Sequence, residues 1–93
     1  MLNHAVFTVG TSPVLLVTIG PKEPTTHVTV VNDDNNSIYV GDSAVAASGA
    51  DKGVTVKKDS QYVFELNAGD KLYAVAASTT TANSVSVLFS SLF

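Results

Sequence analysis

The fold of this chain is decided by the stretch His27-Val-Thr-Val-Val-Asn32-Asp-Asp-Asn-Asn36-Ser37-Ile-Tyr-Val-Gly41. On each side of its polar centre, apolar side chains recur at every second position, which is typical of a half-buried β-strand. The Asp and Asn residues between the two halves favour a turn. We therefore predict two strands, His27–Asn32 and Ser37–Gly41, joined as a hairpin by the intervening loop. Their inward positions are Val28, Val30, Ile38 and Val40.

The same alternation continues on both sides of this stretch, and turn-forming Gly, Pro, Asn and Asp residues interrupt it at short intervals. No long segment carries the i, i+3, i+4, i+7 spacing of an amphipathic helix. The sequence therefore predicts an all-β protein, an antiparallel β-sandwich or small barrel of about seven or eight short strands. The further strands are predicted at Ala5–Val9, Val14–Ile19, Val54–Lys57, Tyr62–Leu66, Leu72–Ala77 and Val85–Phe89.

Two segments have a more specific interpretation. Leu72–Ala77 is apolar on both faces, which indicates a central strand with a second layer or an interface outside it. Asp42–Gly49 offers an N-cap residue, helix-forming alanines and a glycine at the C-cap position, so our hypothesis there is a single helical turn. Residues at every second position of a strand lie on the same face of the sheet. On this basis the remaining inward positions are Val54, Val56, Tyr62, Phe64 and Leu66.

Charge is confined to the middle of the chain. The 93 residues include five Lys and eight Asp or Glu, and all of these lie between Lys22 and Lys71. A free monomer usually spreads its charges over its whole surface, so we predict one domain, 1–93, whose uncharged segments 1–21 and 72–93 make assembly contacts. The predicted contact residues are Ala5, Phe7, Val9, Leu88, Phe89, Leu92 and Phe93.

The composition excludes several classes of partner and compartment. The net charge is −3 and Arg is absent, which disfavours nucleic acid. The best apolar run, Val14–Ile19, is far shorter than the roughly 20 residues of a membrane-spanning helix. Met1–His4 lacks the basic region of a signal peptide, so we expect synthesis in a cytoplasm. Without Cys, the chain has neither disulfides nor a thiolate.

Three groups of residues imitate reactive or metal-binding motifs, and each has a simpler structural explanation. Gly41-Asp42-Ser43 imitates the start of an esterase nucleophile block, which needs a large α/β scaffold and a downstream Asp-His pair. His4 and His27 have no accompanying Cys or carboxylate motif. Asp33–Ser37 has the first spacing of a calcium loop, but Ile38 stands where that loop needs Gly. We therefore predict no enzyme activity, no catalytic residue, no cofactor and no metal site.

The order of turns and strands resembles that of a known group of proteins. The features are Val28-Thr-Val-Val-Asn32, Ser37-Ile-Tyr-Val-Gly41, Gly53-Val54, Leu66-Asn-Ala-Gly-Asp70-Lys-Leu72-Tyr73-Ala-Val-Ala76 and Val85-Ser-Val-Leu88, which lie within residues 28–88. In this order they are similar to the small β-sandwich proteins of tailed-bacteriophage virions, above all the capsid decoration, or cement, proteins. These are turn and strand motifs rather than catalytic ones.

The resemblance implies a structural protein on the capsid exterior of a virion, made in the host cytoplasm. It implies a homotrimer that binds the major capsid protein and stabilises the head without catalysis, and no contact with nucleic acid or membrane. The uncharged ends would then supply strand pairing or packing with the shell and with sister subunits.

A second hypothesis comes from a different class of function. The chain can be a receptor- or glycan-binding β module of a phage tail or head fibre. In that case Tyr39, Tyr73 and the loop Asp33–Ser37 would make the contact.

Overall fold

The computed structural model describes residues 1–90, which form eight strands in two four-stranded antiparallel sheets packed as a sandwich. The all-β prediction is confirmed. Residues 1–90 contain no helix, and so none that is long and apolar enough to cross a membrane. The strands are β1 (Leu2–Phe7), β2 (Val14–Thr18), β3 (Thr26–Asn32), β4 (Ile38–Gly41), β5 (Val54–Val56), β6 (Ser60–Leu66), β7 (Lys71–Ala76) and β8 (Val85–Ser90).

All eight strands expected from the sequence are present, and the largest shift is in β1, which begins at Leu2 rather than Ala5. Sheet A has the order β1-β8-β3-β6, and sheet B has the order β2-β7-β4-β5. As predicted for Leu72–Ala77, β7 is a central strand, with β2 on one side and β4 on the other.

The predicted hairpin between β3 and β4 is wrong, because the two strands belong to different sheets. Val28 and Val30 of β3 and Ile38 and Val40 of β4 are all almost fully buried. In a hairpin these two apolar faces would lie side by side on one sheet and would need a further layer to cover them. By crossing from sheet A to sheet B, the chain turns the two faces toward each other across the sandwich.

The core lies between the sheets and consists mainly of Val, Leu, Ile and Ala side chains from both of them. Phe7, Phe64 and Phe89 pack at its margin, half-buried, as does Leu66. Two predicted core residues, Val54 and Tyr62, are instead about half exposed. Both lie on edge strands, β5 and β6, where the facing sheet does not extend far enough to cover the inward position.

The crossing from β3 to β4 is held by buried polar side chains. Asn32 is fully buried, and its Nδ2 donates to the carbonyl oxygens of Asn36 at 2.9 Å and Val56 at 3.0 Å. Its Oδ1 accepts the backbone N–H of Asp34 at 3.0 Å. The Asp34 carboxylate in turn accepts the backbone N–H groups of Asn36 at 2.9 Å and Thr81 at 2.8 Å. These backbone hydrogen bonds, from Asn36 first and then Thr81, lower the pKa of Asp34 from 3.8 to about 2.

The predicted helical turn at Asp42–Gly49 does not form; the segment is a turn within a loop that folds over sheet B. Asp42 still caps it, because its carboxylate accepts the Ala44 N–H at 3.0 Å. Val45 is buried and packs on Gly41 and Gly53. A Cβ on Gly53 would lie 2.5 Å from Val45 Cγ2 and 2.6 Å from the Val40 carbonyl oxygen, so only glycine fits there.

Candidate interface

The outer face of sheet A carries several exposed apolar side chains and few charged ones. β1 pairs with β8 without a break, from Leu2 opposite Ser90 to Phe7 opposite Val85. Because Phe7 faces the core, the alternation of β1 turns Leu2, His4 and Val6 outward.

The register places these side chains in rows across the sheet. One row runs from His4 through Leu88 and Thr29 to Val63, since each of these residues is opposite the next. The neighbouring row begins at Val6 and includes Ser86, Val31 and Gln61.

Four side chains of this face are large, apolar and strongly exposed, and we call them the sheet A patch. They are Leu2 at 69%, Val6 at 52%, Val63 at 58% and Leu88 at 44% exposure. Single exposed apolar residues are ordinary on protein surfaces, whereas several on one flat face indicate a contact surface.

Little charge interrupts this face. His27 and Glu65 lie opposite each other on β3 and β6, with 3.6 Å between Nε2 and Oε2, and both side chains are largely exposed. A pair this exposed contributes little to stability. It lies toward one end of the face, and the rows that hold Val6 and Leu88 contain no Asp, Glu or Lys.

The structure places the predicted contact residues in three different environments. Leu88 belongs to the sheet A patch. Ala5, Phe7 and Phe89 are half-buried on the core side of sheet A, and Phe7 and Phe89 pack against the core. Val9 is fully buried, so the prediction that its side chain meets a partner is corrected: it is a core residue. Leu92 and Phe93 lie outside the described residues.

The sequence prediction missed Leu2, Val6 and Val63. The residues that it named in the segment Ala5–Val9, which are Ala5, Phe7 and Val9, are alternate positions, and the pairing of β1 with β8 turns Ala5 and Phe7 to the core side. The alternation was visible in the sequence. The other set of positions in this segment includes the apolar Val6, and the pairing of β1 with β8 turns that set outward.

The second hypothesis concerns the opposite surface, the outer face of sheet B. Tyr39 and Tyr73 both point to this face, on the neighbouring strands β4 and β7. Tyr73 lies opposite Gly41, which has no side chain to cover its ring. Lys52 Nζ lies 5.7 Å from the centre of the Tyr39 ring, a cation–π contact.

Tyr73 also lines an open cleft of about 410 Å³, together with Asp42, Ser43, Gly69, Asp70 and Lys71. The loop Asp33–Ser37 is not among these lining residues. Within this loop the Asp34 carboxylate is buried and holds the sheet crossing, whereas Asp33, Asn35 and Asn36 are exposed.

The residues that imitate catalytic motifs are not brought together. His4 is exposed on β1, and the His27 ring lies 3.6 Å from the exposed Glu65 carboxylate. Gly41-Asp42-Ser43 ends a strand and begins a capped turn. Across residues 1–90, no three His, Cys, Asp or Glu side chains are positioned to hold a metal ion.

Comparisons with known proteins add no assignment to this geometry. No protein-family model matches the chain, and neither the curated proteins nor the solved structures include a significant match.

Proposed function

We propose that this chain is a structural virion protein, a capsid decoration or cement protein that binds the outer face of a phage head and stabilises it without catalysis. The observation that carries the proposal is the sheet A patch, a set of four exposed apolar side chains on a face with little charge. The resemblance of residues 28–88 to virion sandwich proteins supports the same function. The proposed partner is the major capsid protein.

The energetics of the patch suit a protein that acts in many copies. Fully burying one Val or Leu side chain contributes about 1.5–3 kcal/mol, so burying four half-exposed ones contributes a few kcal/mol before the costs of association. A ligand that binds only the assembled shell stabilises that shell by mass action. A modest affinity for each site is therefore sufficient when the sites are numerous.

The test compares two leucines of nearly equal exposure on opposite sheets. Leu88, 44% exposed on sheet A, and Leu15, 43% exposed on sheet B, are each replaced by Asp in separate variants. Phage heads that lack the chain are incubated with each protein, washed and heated. We expect wild-type protein and Leu15→Asp to bind and to raise the temperature of head disruption, and Leu88→Asp to do neither.

Heads that are equally stable with and without the wild-type chain contradict the stabilising role. Equal binding by the two variants contradicts the assignment of sheet A as the docking face. Circular dichroism of each variant first establishes that it is folded.

The glycan-binding hypothesis is kept as a second candidate because of the cleft beside Tyr73. An aromatic ring next to carboxylate, ammonium and hydroxyl groups can stack on the apolar face of a sugar while the polar groups bind its hydroxyls. The wild-type chain and Tyr73→Ala are applied to a glycan array, with Tyr62→Ala as the control on the other sheet. Binding that is lost only in Tyr73→Ala supports this function, and an array without any binding excludes it for the sugars displayed.

A further inference from the structure

The four edge strands of the sandwich differ in how they are protected from pairing with other strands. In natural proteins, charged residues, proline, β-bulges or a short length keep an edge strand from pairing with a further strand. β2 has a register shift between Leu15 and Val17 and follows Pro13. β5 has three residues, and β6 contains Glu65 and follows Lys57-Lys58-Asp59.

β1 has none of these devices. It is six residues long, pairs with β8 in an unbroken register, and contains no Asp, Glu, Lys or Pro. Within residues 1–90, β8 is the only strand that pairs with it. No other described strand lies along its other edge, so backbone groups of His4, Ala5 and Val6 that point there can pair with a further strand.

We propose that the partner of this edge is β1 of a second copy, paired antiparallel about a twofold axis at His4. Residues opposite each other in an antiparallel pair lie on the same face of the sheet. Side chains of β1 alternate between the two faces of the sheet. An even-numbered residue of one copy can therefore lie opposite only an even-numbered residue of the other, and an odd-numbered residue opposite an odd-numbered one. In a symmetric pair, the twofold axis then passes where one residue lies opposite the same residue of the other copy. The two residues at the centre of β1 are His4 and Ala5.

The axis at His4 makes better use of the exposed side chains. It places Leu2 opposite Val6 of the second copy, twice, on the outer face, so four strongly exposed apolar side chains become cross-strand pairs. An axis at Ala5 instead places His4 opposite Val6 and leaves Leu2 beyond the paired residues. In either register no Asp, Glu or Lys side chain of β1 enters the new contact, since the strand contains none.

A twofold pair fits the edges of this molecule better than a ring does. A ring through β1 must pair it with a different edge of the next copy, and the other three edges are protected from pairing. The pair joins the two A sheets into one sheet of eight strands and brings the two sheet A patches onto one continuous face. This inference is independent of the proposed function, because it requires no phage head.

The expected dimer is weak. Six residues at about 3.4 Å each give a contact edge about 20 Å long. A contact of this length buries little surface and belongs to the smallest class of protein interfaces. We expect a dissociation constant on the order of micromolar, so sedimentation is measured from about 1 to 500 μM.

Single-cysteine variants test the register directly, since the natural chain has no Cys. Opposed Cα atoms in an antiparallel pair are about 4.5–5.5 Å apart, within the range that a disulfide spans. Under mild oxidation we expect His4→Cys to form a disulfide-linked dimer at least tenfold faster than Leu15→Cys, an exposed position on sheet B. Val6→Lys, which adds charge to the edge, should weaken dimerisation of the otherwise natural chain at least tenfold.

Each other outcome overturns a defined part of the proposal. Faster linkage of Ala5→Cys than of His4→Cys overturns the register. Equal linkage of His4→Cys and Leu15→Cys, or a wild-type mass that stays that of a monomer or reaches that of a trimer, overturns the twofold pairing. None of these results bears on whether the chain binds heads, which the Leu88→Asp experiment decides.

Discussion

Replacing Asn32 with Ala removes the side chain that ties the sheet crossing to β5. Asn32 is fully buried and makes three hydrogen bonds to the backbone, to the carbonyls of Asn36 and Val56 and to the N–H of Asp34. Alanine leaves all three backbone groups without this partner. Val56 and Asp34 are almost fully buried, so water does not readily replace the bonds to them.

The magnitude follows from the number of groups left unpaired. A buried donor or acceptor that loses its partner costs about 1–3 kcal/mol. The bond to Asn36 is only partly buried, so its loss lies at the low end, and the bonds to Val56 and Asp34 are buried. We expect the free energy of unfolding to fall by roughly 3–4 kcal/mol, a large share of the 5–15 kcal/mol of an ordinary domain.

Urea unfolding followed by far-ultraviolet circular dichroism measures this change. With a slope of about 1–2 kcal/mol per molar urea for a small domain, the midpoint should fall by about 1.5–4 M. Asn35→Ala is the matched control, because Asn35 lies in the same loop and is exposed. It should change stability by less than about 0.5 kcal/mol. If Asn32→Ala stays within about 1 kcal/mol of the wild type, these hydrogen bonds do not hold the crossing.

Two further predictions concern the loop over sheet B and the acid stability of the crossing. Gly53→Ala should lower the thermal unfolding midpoint, since the added Cβ would clash with Val45 and Val40. Gly10→Ala is the control, because the nearest contact of its Cβ would be 3.8 Å, and it should leave the midpoint nearly unchanged. Equal midpoints for the two variants would contradict the packing of Val45 against Gly53. Because the pKa of Asp34 is lowered from 3.8 to about 2, the unfolded chain binds this proton more tightly, so the stabilisation is complete above about pH 4 and is lost as the pH falls through 2. Urea titrations at several acidic pH values should show this dependence in Asp33→Asn but not in Asp34→Asn, and its persistence in Asp34→Asn would assign it to another group.

Period-two alternation was enough to predict the strands, because burial of one face is a local property of the sequence. The sheet that each strand joins is not local. The short loop Asp33–Asn36 suits a hairpin as well as a crossing, and the choice is decided by β6 and β8, which pair with β3, and by β5 and β7, which pair with β4. For the same reason the outward set of β1 could not be predicted from its own residues.

The two uncharged ends of the sequence lie next to each other in the fold. The uncharged segments 1–21 and 72–93 contain β1, β2, β8 and nearly all of β7. These strands are neighbours, β1 beside β8 in sheet A and β2 beside β7 in sheet B. At the other side of the sandwich, β5 contacts β3 and β6, near the charged residues of the middle of the chain.

Sheet A therefore has a neutral side, formed by β8 and β1, that ends in the unprotected edge of β1, and its charged residue Glu65 lies on β6 at the opposite edge. A neutral side of this kind gains nothing for a solitary soluble domain, whose surface is better mixed in charge. It is useful where strands or faces meet another surface, because no charge has to be desolvated there. A single Lys at Val6 should consequently reduce association while leaving the unfolding midpoint almost unchanged, since Val6 makes its contacts outside the core. A drop in stability as large as the drop in association would show that Val6 serves the fold instead.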